Sequence, residues 1–166
     1  TENSQKSFDL WKGYKVPKGF TNYIYMFGSY RFLGHCPKCS IRHMAREARR
    51  YAAAGMKATY RCGYGDLFGL DGQAYYVFNR LLLDPTLDEV ELAERYVRRM
   101  YGPASGAMAG FHRRLDMRVS AYSKIREGFG QTDDLSPIPS WTGRPADYFA
   151  YMYPRDMMDW FRLGLN

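Results

Sequence analysis

Residues 20–27 read Phe-Thr-Asn-Tyr-Ile-Tyr-Met-Phe and residues 56–61 read Met-Lys-Ala-Thr-Tyr-Arg. The first run is β-branched and aromatic and is bounded by Gly19 and Gly28, the pattern of a buried strand. The second reads as another strand. Between them Ser40 is placed to cap a helix, and Ile41, Met44, Ala45, Ala48, Tyr51 and Ala52 recur at helical spacing. Arg42, Arg46, Glu47, Arg49 and Arg50 take the opposite face, and Gly55 stands where a helix is closed. Strand, helix, strand predicts a parallel βαβ unit.

Beyond it the periodicity is helical only. Residues 73–83 are nearly apolar all round, which predicts a buried helix. Asp84-Pro85 ends it. Thr86 with Glu89 has the spacing of a capping box. The helix that follows is expected to bury Leu87, Val90, Ala93, Val97, Met100 and Tyr101 before Gly102 stops it. Pro103 opens another helix, with Ala104, Ala107, Phe111, Leu115, Tyr122 and Ile125 on its stripe and His112 on its polar side. Residues 129–145 read as a Pro/Gly/Ser loop, and a last helical piece over 146–163 is interrupted by Pro154.

The chain has 166 residues, 46% hydrophobic and 25% charged, enough for a packed core and not the composition of a disordered chain. No apolar run is long enough for a membrane span. It opens on Thr1 with no apolar signal segment, which suggests a processed, trimmed or incomplete start. Residues 1–60 hold eleven Lys/Arg against three Asp/Glu, whereas residues 61–166 are close to neutral. A basic first third suits an anionic partner, or simply a solvated face. A two-stranded parallel sheet is not stable alone, so the chain reads as the tail of a larger α/β domain.

The run Tyr75-Tyr-Val-Phe-Asn-Arg-Leu-Leu-Leu-Asp-Pro85 resembles the "YV…RLLWDP" segment of an uncharacterised bacterial glycoside-hydrolase-like family, similar in turn to the α-glucuronidase-type enzymes. Met100-Tyr-Gly-Pro-Ala104 resembles its "YYGPAA" segment, Tyr51-Ala-Ala-Ala-Gly-Met-Lys-Ala58 its "Y…GVKG" lead into a strand, and Gly19-Phe-Thr-Asn-Tyr-Ile-Tyr25 the strand before. The resemblance covers residues 18–125. It departs at Leu83, where the family often has Trp, and in the Arg-Cys-Gly-Tyr-Gly-Asp loop, where relatives often place Glu. It implies the last two or so βα units of a (β/α)8 TIM barrel over residues 1–85, followed by an α-helical extension over residues 86–166. The partner is then the remainder of that barrel, and the ligand is carbohydrate. The resemblance also suggests a secreted or periplasmic protein.

Barrel active sites lie where strands end and loops begin. This singles out Tyr30, Arg31 and His35 after the first strand, and Arg61, Tyr64, Asp66 and Asp71 after the second. Glycoside hydrolysis uses two carboxyl groups. Asp66 is the candidate catalytic group, or a turn-capping Asp, and a second carboxylate is expected outside this chain. Asp71, before Gly72, is expected to cap a helix. Arg31 and Arg61 have the planar fork that grips a carboxylate, which suits an acidic sugar, and Tyr30 and Tyr64 complete the expected binding set. Tyr23 and Tyr25 stack on sugar rings or pack in the core. Non-catalytic carbohydrate binding is the alternative to hydrolysis. A nucleic-acid-binding domain, using Arg42, Arg46, Arg49 and Arg50, is a third reading without a recognisable module. Cys36 and Cys39 form a C-x2-C pair near His35, His43 and Cys62, but no second pair completes a four-ligand zinc site. No metal and no cofactor are expected.

Overall fold

The computed structural model describes residues 18–27, 40–63, 69–128 and 145–165, with short pieces at 6–7, 9–11 and 13–14. Strand β1 (Phe20–Phe27) is followed by helix α1 (Ile41–Ala53) and strand β2 (Met56–Gly63). A short 3-10 turn, Gly69–Asp71, leads into α2 (Gly72–Leu83). Then come α3 (Glu89–Tyr101), a second 3-10 turn (Gly102–Ala104), α4 (Ser105–Gly128), α5 (Pro145–Met152) and α6 (Arg155–Arg162).

The strands pair in parallel, as the βαβ reading expects, with Thr21 opposite Ala58 and Tyr23 opposite Tyr60. Phe20 faces Met56, so Lys57 is the extra residue of a bulge on β2. Its stem lies across Gly19, where a Cβ would fall 2.4 Å from Lys57 Cγ. Gly19 also has φ +80, a conformation that glycine tolerates and a side chain resists.

The (β/α)8 barrel is not what the chain forms. The described residues are mostly helical, and their single sheet has two strands. The physical reason lies in where the apolar surface goes. In a barrel, strand side chains fill the centre. Among the described residues the main core is built from helices: Met44, Ala45, Ala48 and Tyr51 of α1, Ala74, Tyr75, Val77, Phe78 and Leu81 of α2, Leu92 and Ala93 of α3. Among the described strand side chains, Met56 packs against it, partly buried. Tyr23 and Tyr60 stand in solvent. A barrel remainder as partner loses its basis with the barrel. The core also runs across Pro85, since Leu92 and Ala93 join the α1 and α2 residues.

Local chemistry explains the helix ends. Ser40 Oγ accepts from the His43 N–H at 3.2 Å, which satisfies one orphan donor of the first turn. Gly55 (φ +73) and Gly102 (φ +50) end α1 and α3. The capping box does not form. Asp88, not Thr86, caps α3 by accepting from Glu91 N–H at 2.8 Å. Thr86 instead donates from both N–H and Oγ1 to Asp84 Oδ1, so the aspartate organises the turn before the helix. Those two bonds hold the Asp84 carboxyl below the usual carboxylate range. Asp71 precedes α2 with helical backbone angles and makes no cap bond through its side chain.

Two arginines tie the helices together. Arg49 donates to Pro85 O at 3.1 Å and Leu87 O at 2.9 Å, and pairs with Glu89 at 2.7 Å. It thereby clasps the α2–α3 turn to α1. Arg118 of α4 donates to the carbonyls of Tyr151 and Met152 and lies 4.9 Å from the Tyr151 ring centre. A cation at a helix C-terminus is well placed against its dipole. A second cluster, Val119 and Tyr122 of α4 with Tyr148 and Met152 of α5, forms around this contact.

The apolar stripes were partly misassigned. Val90 and Met100 of α3 are exposed. His112, expected on a polar face, is 3% exposed, while Leu115, Val119 and Tyr122 continue its buried line. Those positions recur at intervals of three and four, a helical stripe whose first member is a histidine.

Candidate functional site

Thr21 and Tyr23 of β1 share one sheet face with Ala58 and Tyr60 of β2, because alternate residues of a strand point the same way. Both tyrosines are exposed, Tyr23 by 51% and Tyr60 by 72%. Their rings stack at 5.4 Å with 24° between planes. Stacking across neighbouring strands ties the two rings to each other. Trp11 and Tyr14 extend the aromatic surface toward the start of β1, Trp11 lying 6.3 Å from Phe20.

Between β2 and α2 is a groove of about 300 Å³, the lower end of the size range of small-ligand sites; neither Tyr23 nor Tyr60 is among its lining residues. Met56, Lys57, Ala58 and Thr59 of β2 line one side. Asn79, Leu82 and Leu83 of α2 line the other, and Ala52 of α1 closes it. Tyr60 is the next residue along β2. Apolar walls with a few polar groups suit a small ligand: a hydroxyl from Thr59, an amide from Asn79, and one cation, Lys57. No carboxylate is among the lining residues. Leu83 is 81% exposed at its rim.

Tyr30, Arg31, His35, Tyr64 and Asp66 lie outside the described residues, as do Cys36 and Cys39. Arg61 sits in β2 opposite Ile24 by its backbone; its side chain, like those of Tyr25 and Cys62, lies outside the description. Of the expected carbohydrate-contacting residues, Tyr23 is therefore the one whose side chain the structure places, and it is in solvent rather than in the core. Tyr60, Lys57 and Asn79 were not singled out by the sequence. Alternation alone puts Tyr60 on the Ala58 face, but only the register brings it against Tyr23.

Compared with protein-family models, curated proteins and solved structures, the chain matches none. The case for its function therefore rests on its own residues.

The basic face of α1 is largely engaged within the chain. Besides the Arg49 clasp, Arg50 pairs with the buried Glu47 at 2.5 Å, and Arg46 lies 3.9 Å from the same carboxylate and 3.0 Å from His43 Nδ1. These contacts take up guanidinium groups that phosphate binding would need. Among the described residues no three His, Cys, Asp or Glu gather to hold a metal, and no helix is long and apolar enough to cross a membrane.

A second polar cluster lies between the helices. His112 Nε2 is 3.0 Å from Tyr101 Oη, and burial pushes the imidazole pKa down. One turn on, half-buried Asp116 accepts from the Ile41 N–H at 2.7 Å, joining α4 to the first turn of α1. Desolvation pushes the Asp116 carboxyl up, against the opposing pull of that N–H and of Arg42.

The sign of the Asp116 contribution follows. A raised acid gives stability that is complete below its unfolded pKa and lost as pH rises through its folded value. Asp116→Asn keeps a carbonyl acceptor for Ile41 and removes the desolvated charge. Its stability relative to the parent should therefore rise from mildly acidic to neutral pH. His112 acts oppositely. Its depressed pKa gives stability that is present above the unfolded value and lost on acidification. Paired urea titrations at several pH values measure this. A difference that stays flat with pH rules out the raised carboxyl.

Proposed function

We propose that this chain recognises carbohydrate, as part of a glycoside-hydrolase-like protein, through the exposed Tyr23–Tyr60 pair and the groove between β2 and α2. The observation that carries this is the exposed, stacked tyrosine pair, with a ligand-sized groove lined by the β2 residues that precede Tyr60. A large ring that could have been buried in the helical core instead faces water. Aromatic rings offer flat apolar area to the C–H faces of a sugar, while the phenol remains a hydrogen-bonding group. Thr59 and Asn79 supply partners for sugar hydroxyls. Lys57 is the only charge among the lining residues, which favours an acidic sugar over a neutral one.

Hydrolysis of a glycosidic bond needs a pair of carboxyl groups. The groove lining has none, so the role assigned to it is binding. Bond cleavage, if the intact protein performs it, belongs to carboxylates elsewhere.

Calorimetric titration of the chain with uronate-containing and neutral oligosaccharides tests the reading. Binding should be tighter for the uronate series. Tyr60→Ala should weaken both series about tenfold, given roughly 1–3 kcal/mol for a stacked aromatic contact. Lys57→Met should weaken only the acidic series and flatten its salt dependence. Binding unaffected by Tyr60→Ala, or no binding in either series, would sink the proposal.

A further inference from the structure

We propose that one water molecule is bound between α2 and α4, in the cavity lined by Gln73, His112 and Asp116. The cavity holds about 20 Å³, and a single water needs roughly 10–15 Å³ together with two to four polar partners. The rest of the lining is apolar, including Ile41, Ala74 and Leu115.

The three polar residues each have one group engaged and one remaining. Gln73 Nε2 donates to Ala93 O at 3.0 Å, which leaves Oε1. His112 Nε2 meets Tyr101 Oη at 3.0 Å, which leaves Nδ1. Asp116 Oδ1 accepts from Ile41 N–H, which leaves Oδ2. Gln73 and His112 are both more than nine-tenths buried as residues, and polar atoms that line a water-sized space take an ordered water as partner.

In the arrangement we propose, the Tyr101 O–H donates to Nε2 across the 3.0 Å contact, and neutral His112 carries its proton on Nδ1. That N–H donates to the water oxygen, and the two water protons go to Asp116 Oδ2 and Gln73 Oε1. The water then completes a polar seam from Ala93 of α3 through α2 and α4 to the N-terminus of α1.

Nuclear magnetic resonance on the whole chain reads both parts of the proposal. The expected result is a long-lived water giving cross-relaxation to the His112 ring protons and the Ile41 amide, with nitrogen shifts of the Nδ1–H tautomer. Gln73→Met keeps the side-chain length but removes an acceptor, and should abolish or strongly weaken the water signal. Absence of a long-lived water at these protons in the parent chain overturns the proposal, as does the Nε2–H tautomer. Both readouts come from the parent and do not depend on the variant folding.

Discussion

Gly110→Ala should destabilise the protein, whereas Gly106→Ala, four residues earlier on the same helix, should stabilise it slightly. Alanine is the better helix former by up to about 1 kcal/mol, and that preference alone makes both changes favourable. At Gly106 nothing lies within 4 Å of an added Cβ, so the preference stands. At Gly110 the methyl would sit 2.2 Å from the carbonyl oxygen of Gly164, with two more Gly164 backbone atoms at 3.1 and 3.3 Å. Backbone cannot turn aside as a side chain can. The same contact seen from the other partner puts a Gly164 Cβ 2.8 Å from Gly110 C and from Phe111 N. Overpacking of this kind costs about 1–3 kcal/mol.

The damage should be local. The C-terminal segment is held to α4 by this contact, by Phe161 against Phe111 at 6.0 Å and by Arg114 over Trp160 at 5.6 Å. Moving Gly164 away should loosen α6 and leave α1–α3 in place. Hydrogen exchange should show lost protection in residues 155–162 of Gly110→Ala with α2 unchanged. Equal stability of the two alanine variants in a thermal melt would refute the argument.

Phe78→Ala should cost about 3–5 kcal/mol, a large part of the 5–15 kcal/mol available to an ordinary domain. Phe78 is 0% exposed at the centre of the helical core, and its ring meets the Tyr51 ring edge-on at 6.2 Å. Truncation loses the transfer energy of a whole ring and leaves a cavity between α1 and α2 that close-packed neighbours cannot fill. Leu83→Ala, at the exposed end of the same helix, should stay within about 0.5 kcal/mol of the parent. Denaturant unfolding of the pair separates the two positions. A Phe78→Ala loss as small as that of Leu83→Ala would show that the core does not centre where the structure puts it.

The elements themselves were legible because they follow from short-range chemistry. The Ser40 cap, the glycine stops at 55 and 102, the break at Pro154 and the parallel pairing of the two strands all come from rules that act over a few residues. The apolar stripe of α1 was equally plain, since Met44, Ala45, Ala48 and Tyr51 repeat at the helical period and are all buried.

What the strands do with their side chains was not legible. A βαβ pattern is the same whether its sheet is the lining of a barrel or an exposed ribbon beside a helical core. Periodicity tells which residues share a face but not which partner covers that face. Tertiary packing decided that α1, α2 and α3 bury one another, and this left Tyr23 and Tyr60 in solvent. His112 was misread for a related reason: hydropathy ranks imidazole as polar, and only the Tyr101 hydroxyl, eleven residues away, makes its burial affordable. The Gly110–Gly164 contact is likewise invisible in sequence, because a glycine chosen for close approach looks like one chosen for a turn. Sequence by itself determined the helices, the two strands and the stops at Gly55, Gly102 and Pro154, through local sterics and hydrogen bonding, though not the cap of α3. Tertiary structure alone decided the core, the groove and the polar seam, because each depends on contacts between residues far apart along the chain.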